Sequence, residues 1–255
     1  MTSTVGGNCA RLAARSLPCG GTPTPVWIGW GRRFPELDIS ACPGLVLVAP
    51  HPDDETLGFG ATAALLAAQG VDVQLVSVSD GGAAYPDLSP FDRNKLERTR
   101  RAELLRAAGV LGVGEPICLG LPDGELSQHE QRISDEISAI LSSRPPGTWC
   151  AATWRGDGHP DHEAVGRAAA LAAERTGAFL VEYPVWMWHW ASPDDAAVPW
   201  QRARSAPLNR AAVGRKQLAA QNFRSQFESV GPNGSLVLPP FVLRRLLAVG
   251  EVVFL

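Results

Sequence analysis

A chain of 255 residues is long enough to bury one sizeable core, and its ordinary mix of apolar and charged residues excludes a disordered or fibrous protein. A formal net charge of −3 supplies no basic field, which argues against nucleic acid or an anionic membrane surface as a partner. The five cysteines, Cys9, Cys19, Cys42, Cys118 and Cys150, are odd in number and form no CxxC pair. They fit free thiols in a reducing cytoplasm, with Cys118 and Cys150 read as small buried apolar residues beside strands.

The first stretch, "MTSTVGGNCARLAARSLPCGG", lacks the continuous apolar run of a signal peptide or membrane span. Residues 1–40 therefore read as a variable arm, flexible or loosely docked, and 41–255 as a single domain. From there strand and helix alternate. "LVLVA" (45–49) is a short apolar strand, and the Ala/Leu-rich "TLGFGATAALLAAQG" is a helix closing on Gly70. "VDVQLVSVSDGG" is a second strand, and "DRNKLERTRRAELLRAAGVLG" a helix with Leu96, Leu104, Leu105 and Ala108 on one face. "PICLGLPDG" runs from strand into turn. A helix near "HEQRISDEISAILSS" ends at Pro145, Pro146 and Gly147, and "TWCAATW" (148–154) is another strand. An Ala-rich helix follows "RGDGHPDHEAVGR". The chain then reads as the strand "AFLVEYP", the Trp-rich "VWMWHWASP", a helix around "VGRKQLAAQNFRSQF" and a closing strand "EVVFL".

This alternation predicts an α/β fold, a Rossmann-like three-layer sandwich with a mainly parallel central sheet, because parallel strands need crossover helices. In such sheets ligands bind beyond the carboxyl ends of the strands. Two polar clusters stand there: His51-Pro-Asp53-Asp54-Glu55 after the first strand, and Asp157-Gly-His159-Pro-Asp161-His162 after strand 148–154. Three of the five histidines lie in them. Any one of the aspartates alone reads as a helix N-cap. Two imidazoles and a carboxylate from two strand ends instead suit a Zn²⁺ ion with one position left open for water. A nucleotide-binding module would show GxGxxG after the first strand, and adjacent carboxylates there repel phosphate.

"PHPDDETLGFGA" and "GDGHPDHEAVGRAA" resemble the two signature segments of the LmbE-like (PIG-L) family of zinc-dependent N-acetylglucosaminyl deacetylases. "VSVSDGG", "RTRRAELLRAAGVLG", "LGLPDGEL", "VEYPVWMWHW" and "KQLAAQNFRSQF" are similar to that family's pattern in the same order. The resemblance covers about residues 44–255. It implies that His51, Asp54 and His162 bind zinc and that Asp53 is the general base. It further implies that His159 stabilises the transition state or donates a proton, oriented by Asp161. Arg100 and Asp123 fall at positions where the family contacts substrate. The implied reaction releases acetate from an N-acetylglucosaminyl small molecule, with neither nucleic acid nor a stable membrane anchor as partner. A glycosylated natural product such as a glycopeptide antibiotic pseudoaglycone is one expected substrate. A mycothiol or bacillithiol precursor, another amide, or a metal-free sugar-binding role are the alternatives. The mycothiol-related branch carries a tyrosine where this chain has Asp157, which leaves Tyr85 or Tyr183 to take that place.

"WMWHW" has Trp186, Trp188 and Trp190 alternating with Met187 and His189. In an extended segment the three indoles share one face. That face would be an aromatic core, an oligomer interface or a stacking wall for substrate, with His189 as a further candidate ligand.

Overall fold

The computed structural model describes residues 5–85, 87–228 and 236–255. Helices α1 (Val5–Ala13) and α2 (Thr24–Gly29) precede the first strand, β1 (Leu45–Ala49). There follow α3 (Asp54–Ala68), β2 (Val73–Ser79), α4 (Pro90–Leu111), β3 (Ile117–Leu121), α5 (Glu130–Ser142), β4 (Trp149–Thr153), α6 (Pro160–Thr176) and β5 (Phe179–Tyr183). The last third holds α7 (Met187–Trp190), β6 (Ala203–Ser205), α8 (Arg210–Ala220), α9 (Arg224–Phe227), α10 (Pro240–Ala248) and β7 (Val252–Phe254).

The seven strands form one sheet in the order β3-β2-β1-β4-β5-β7-β6. The first five are parallel, and β7 runs antiparallel between β5 and β6. Side-chain alternation explains why both faces are covered. Leu45, Leu47, Trp149 and Ala151 enter one core, whereas Val46, Val48, Cys150 and Ala152 enter the opposite one. Ile133 and Ile137 of α5 and Ala168 and Ala172 of α6 fill the second core, and α3 lies against the first. The fold is therefore the expected three-layer, mainly parallel α/β sandwich.

Helix α4 is capped as its sequence dictates: Ser89 Oγ accepts from the Asp92 N–H at 3.1 Å, Pro90 opens the first turn, and Gly112 at φ +80 closes the last. Its inward face differs from the expected one. Leu105 is 50% exposed, while Arg100 and Glu103 are buried beside Leu96, Leu104 and Ala108. The helix buries an arginine and a glutamate, and an apolar-only reading of its stripe cannot register them.

The arm expected to be loosely docked is packed; residues 1–4 of it lie outside the described residues. Asn8 Nδ2 donates to Gly156 O at 2.9 Å, Arg11 pairs with Asp195 and lies over the Trp190 ring, and Trp27 Nε1 donates to Trp188 O at 3.0 Å. Trp27, Leu37 and Ile39 are buried in the main core. These residues are too widely spaced to show a period, so their partners at 188–205 exist only after folding.

Glu251, just before β7, reaches α3 from the side. Its carboxylate accepts from the Ala61 and Thr62 N–H groups and from Lys216 Nζ, each at 2.8 Å. Both charged partners are 3% exposed. Glu251→Ala takes this carboxylate from the buried Lys216 Nζ and from the Ala61 and Thr62 N–H groups. We expect a loss of about 3–5 kcal/mol, read as a lower urea midpoint at unchanged m value.

All five cysteines are free, and Cys118 is exposed on edge strand β3 rather than buried as expected. Burial pushes the Cys42 thiol up to about 11 and that of Cys150 up to about 12. At neutral pH a thiol reagent should therefore label Cys19 and Cys118 in the folded protein, and Cys42 and Cys150 only after denaturation. Among the described residues no helix is long and apolar enough to cross a membrane.

Candidate active site

Strands β2 and β3 lie to one side of β1, and β4 and β5 to the other. The crevice at the carboxyl ends of β1 and β4 is thus the point where the strand order reverses, which is where such sheets bind ligands. The segment after β1 and the segment after β4 meet there.

The first segment is held from several sides. Pro50 O accepts from the N–H and the hydroxyl of Ser79 at the end of β2, each at 2.9 Å. The buried Arg100 guanidinium donates through Nη1 to Gly81 O and through Nη2 to Pro52 O, both at 2.9 Å. One side chain therefore straps the loop after β1 to the loop after β2. Gly81 sits at φ +67, and a side chain there would run into that guanidinium. Asp53 adopts φ +133, a conformation open to glycine that costs another residue about 1–3 kcal/mol. Its N–H donates at 3.0 Å to Oε2 of Glu55, whose carboxyl burial pushes up to about 7. Glu55 thus props the strained turn.

Three ligating atoms converge beyond this turn. Nδ1 of His51 and Nε2 of His162 lie 3.1 and 3.2 Å from the same oxygen, Oδ2 of Asp54. His162 is fully buried, yet its Nε2 has no hydrogen-bond partner. The opposite ring nitrogens are engaged: His162 Nδ1 with Asp157 Oδ2 at 2.8 Å, and His51 Nε2 with Asp123 Oδ1 at 2.9 Å and Asp161 Oδ2 at 3.2 Å. Carboxylates on the far side of each imidazole hold a proton there, so the nitrogen facing Asp54 is the one each ring would offer to a metal ion. Burial opposes the Asp54 charge, but His162 and His51 outweigh it and hold the carboxyl well below the usual range. Burial likewise disfavours charge on His162, and Asp54 and Asp157 override it, so that its pKa rises to about 9. Asp54, His51 and His162 form a group able to hold a metal ion.

Beside this group, Asp53 Oδ2 lies 3.5 Å from Arg100 Nη2. Burial raises the Asp53 carboxyl well above its ordinary range, with Arg100 pulling the other way. The His159 ring meets His51 and His162 with centroids 5.2 and 4.8 Å away. Burial, followed by the charges of those two histidines, pushes His159 down to about 3, so it is a neutral imidazole. Its Nδ1 accepts the Asp161 N–H at 3.2 Å, which leaves the ring proton on Nε2.

Asp161 meets His159 through its backbone and not through its carboxylate. That carboxylate accepts from the Gly124 and Leu126 N–H groups at 2.8 and 3.1 Å and approaches His51. In the first turn of α6 its side chain points across to the loop after β3. Asp123, expected against substrate hydroxyls, accepts the Ala83 N–H at 2.8 Å and engages His51.

A cavity of about 280 Å³ opens onto these groups; His51, Asp53, Asp54, Arg100, Asp123, His159 and Trp186 all line it. Trp188 and Trp190 do not. Residues 187–190 form a helical turn, so the alternation expected of an extended segment is lost; Trp188 is 4% and Trp190 0% exposed in the main core. The turn arises because the Asp157 carboxylate accepts the N–H groups of Val185, Trp186 and Met187, each at 2.9 Å. His189 is occupied elsewhere, with Arg15 O and Arg245 Nη1 at 2.8 and 3.1 Å. Tyr183 is buried and donates to Val48 O at 2.7 Å, which removes it as a substitute for the missing tyrosine. Two lining or supporting residues escaped sequence reasoning. Asp157 lies inside the second cluster, five residues before His162, and that spacing was the available signal. Gln226 lines the cavity from α9, which Glu103 holds by accepting from the Ser225 N–H and Oγ at 2.9 and 2.6 Å; no local pattern marks it.

Comparison with known proteins is consistent in direction. The PIG-L family model, described as GlcNAc-PI de-N-acetylase, matches residues 46–173. The chain is 30% identical over 229 residues to the 1D-myo-inositol 2-acetamido-2-deoxy-alpha-D-glucopyranoside deacetylase of a Nocardioides species, covering 78% of this chain and 73% of that one. It is 31% identical over 134 residues to the probable N-acetyl-alpha-D-glucosaminyl L-malate deacetylase 2 of Bacillus cereus, covering 51% and 61%. It spans about half the length of the mycobacterial relatives it matches. Among solved structures, the A40926 pseudoaglycone deacetylase Dbv21 shares the fold with a TM-score of 0.60 at 24% identity, over 83% of this chain and 96% of that one.

Proposed function

The chain belongs to the PIG-L family of GlcNAc-PI de-N-acetylases, and on that premise we propose that it is a zinc-dependent hydrolase removing the N-acetyl group from an N-acetylglucosaminide. The observation that carries this reading is the convergence of His51 Nδ1, His162 Nε2 and Asp54 Oδ2, with His162 Nε2 buried and unpartnered. Two imidazoles and one carboxylate suit Zn²⁺ with an open position, so these three residues would hold it. The ion supplies Lewis acidity toward an amide carbonyl and toward water.

The chain's own groups account for the proton traffic. Asp53 is one residue from a ligand but faces the cavity. It takes a proton from the attacking water and passes it to the departing nitrogen. His159 donates its Nε2–H to the carbonyl oxygen as negative charge develops there. This is hydrogen bonding by a neutral ring. Arg100 and Glu55 keep the Asp53 turn in shape, and Trp186 offers an aromatic face to the sugar. The C–N bond breaks, giving acetate and a free amine.

The test incubates zinc-loaded protein with N-acetylglucosaminides, including the inositol and malate glycosides that the relatives' names specify, and measures acetate and free amine. Chelation should abolish release and zinc should restore it. Zinc at a hundredfold excess over Kd should also raise apparent stability by about 2.7 kcal/mol. Absence of acetate from every glycoside would remove the reading.

A further inference from the structure

The cleft continues past the sugar-sized cavity. A second cavity of about 500 Å³ adjoins it, and His159 and Trp186 stand in the walls of both. Leu12, Ala13 and Leu17 of the N-terminal segment line the second cavity together with Tyr85. That segment precedes residues 46–173, the part the family shares. It is seated directly on the loop that carries His159. Asn8 Nδ2 donates to Gly156 O at 2.9 Å, and a side chain at Gly158, which adopts φ +92, would come within 3.0 Å of Asn8 O. The position of this apolar wall relative to His159 is therefore set by the fold.

We propose that the second cavity is an aglycone subsite, receiving an apolar alkyl or aryl group attached to the sugar whose N-acetyl group is removed. This rests on the deacetylase reading above and adds the class of substrate. Three observations carry it. The cavity adjoins the catalytic one, sharing Ala84, His159, Trp186 and Val237 with it. Its volume is that of a typical small-molecule site. Its new wall is mostly aliphatic and aromatic, with Ser16 at its exposed edge, and the charged side chain among its described lining is Arg15, which is exposed and donates to Thr22 Oγ1 at 3.0 Å. Burying an alkyl chain there is favourable, whereas a bare or methylated sugar gains nothing from it.

The experiment compares hexyl and methyl glycosides of glucosamine by calorimetry, and the same two glycosides of N-acetylglucosamine by acetate release. Both use the wild-type protein, Leu17→Glu and Ala13→Trp. The Ala13 variant fills the cavity without removing a packing contact, which covers the case in which Leu17→Glu fails to fold. In the wild type the hexyl compound should bind at least about tenfold more tightly than the methyl compound. In each folded variant that ratio should fall to about one, and the hexyl-to-methyl ratio of kcat/KM should fall with it. A wild-type ratio near one, or a ratio that survives both substitutions, overturns the subsite. If neither these two nor the inositol and malate glycosides release acetate, the deacetylase reading fails, and the calorimetric ratio still decides this one.

Discussion

Asp53→Asn is expected to lower kcat/KM for deacetylation by about 10²–10⁴-fold, the usual contribution of a general base, while zinc content stays at the wild-type level. The amide keeps the shape of the carboxylate and its approach to Arg100 but cannot take a proton. Zinc per chain, measured by mass spectrometry alongside the rate, separates this outcome from loss of the metal. A second substitution at the same position sharpens the point. Asp53→Gly relieves a backbone held at φ +133 and should be inactive yet more stable by roughly 1 kcal/mol. An Asp53 variant retaining full activity would refute the assigned base even if zinc were present.

Asp157→Ala should weaken zinc binding by about 10–100-fold and destabilise the fold by several kcal/mol at once. The carboxylate is fully buried and serves two purposes. One oxygen orients His162 through Nδ1, and together the two accept three successive N–H groups that turn the chain into α7. Truncation takes the acceptor from all four donors. The two effects are read separately, by competition with a chromophoric chelator and by denaturant titration of the metal-free protein. Asp157→Asn, which keeps an acceptor for the amides, should recover much of the stability and less of the zinc affinity. Equal recovery of both would mean that the charge on Asp157 does not act on His162.

Legibility from the sequence tracked the range of the interaction involved. The strand at 45–49 and the one at 148–154 were readable because their apolar runs are local, and the polar residues after them were conspicuous by contrast. The apolar face of their helix does not mark Arg100 and Glu103 as buried, yet both are. Their partners are Gly81 and Pro52 for one and Ser225 for the other, far away in the chain. The Trp-rich segment shows the same limit. Trp186, Trp188 and Trp190 would share one face only in an extended segment, but a carboxylate roughly thirty residues upstream makes it helical. Of its three indoles, Trp186 alone then reaches the cavity over His51 and Asp53.

The sequence by itself determined the parallel α/β order, the two strand ends at which polar residues collect, and the family to which those residues point. Periodicity and strand-end chemistry are short-range properties, written in consecutive residues. Only the tertiary structure decided which carboxylate backs which imidazole, with Asp123 and Asp161 on His51 and Asp157 on His162. It alone packed the N-terminal segment into the wall beside His159. Hydrogen bonds and cavity walls join residues that are distant in the chain, and their partners are settled when β1 and β4 come to lie side by side.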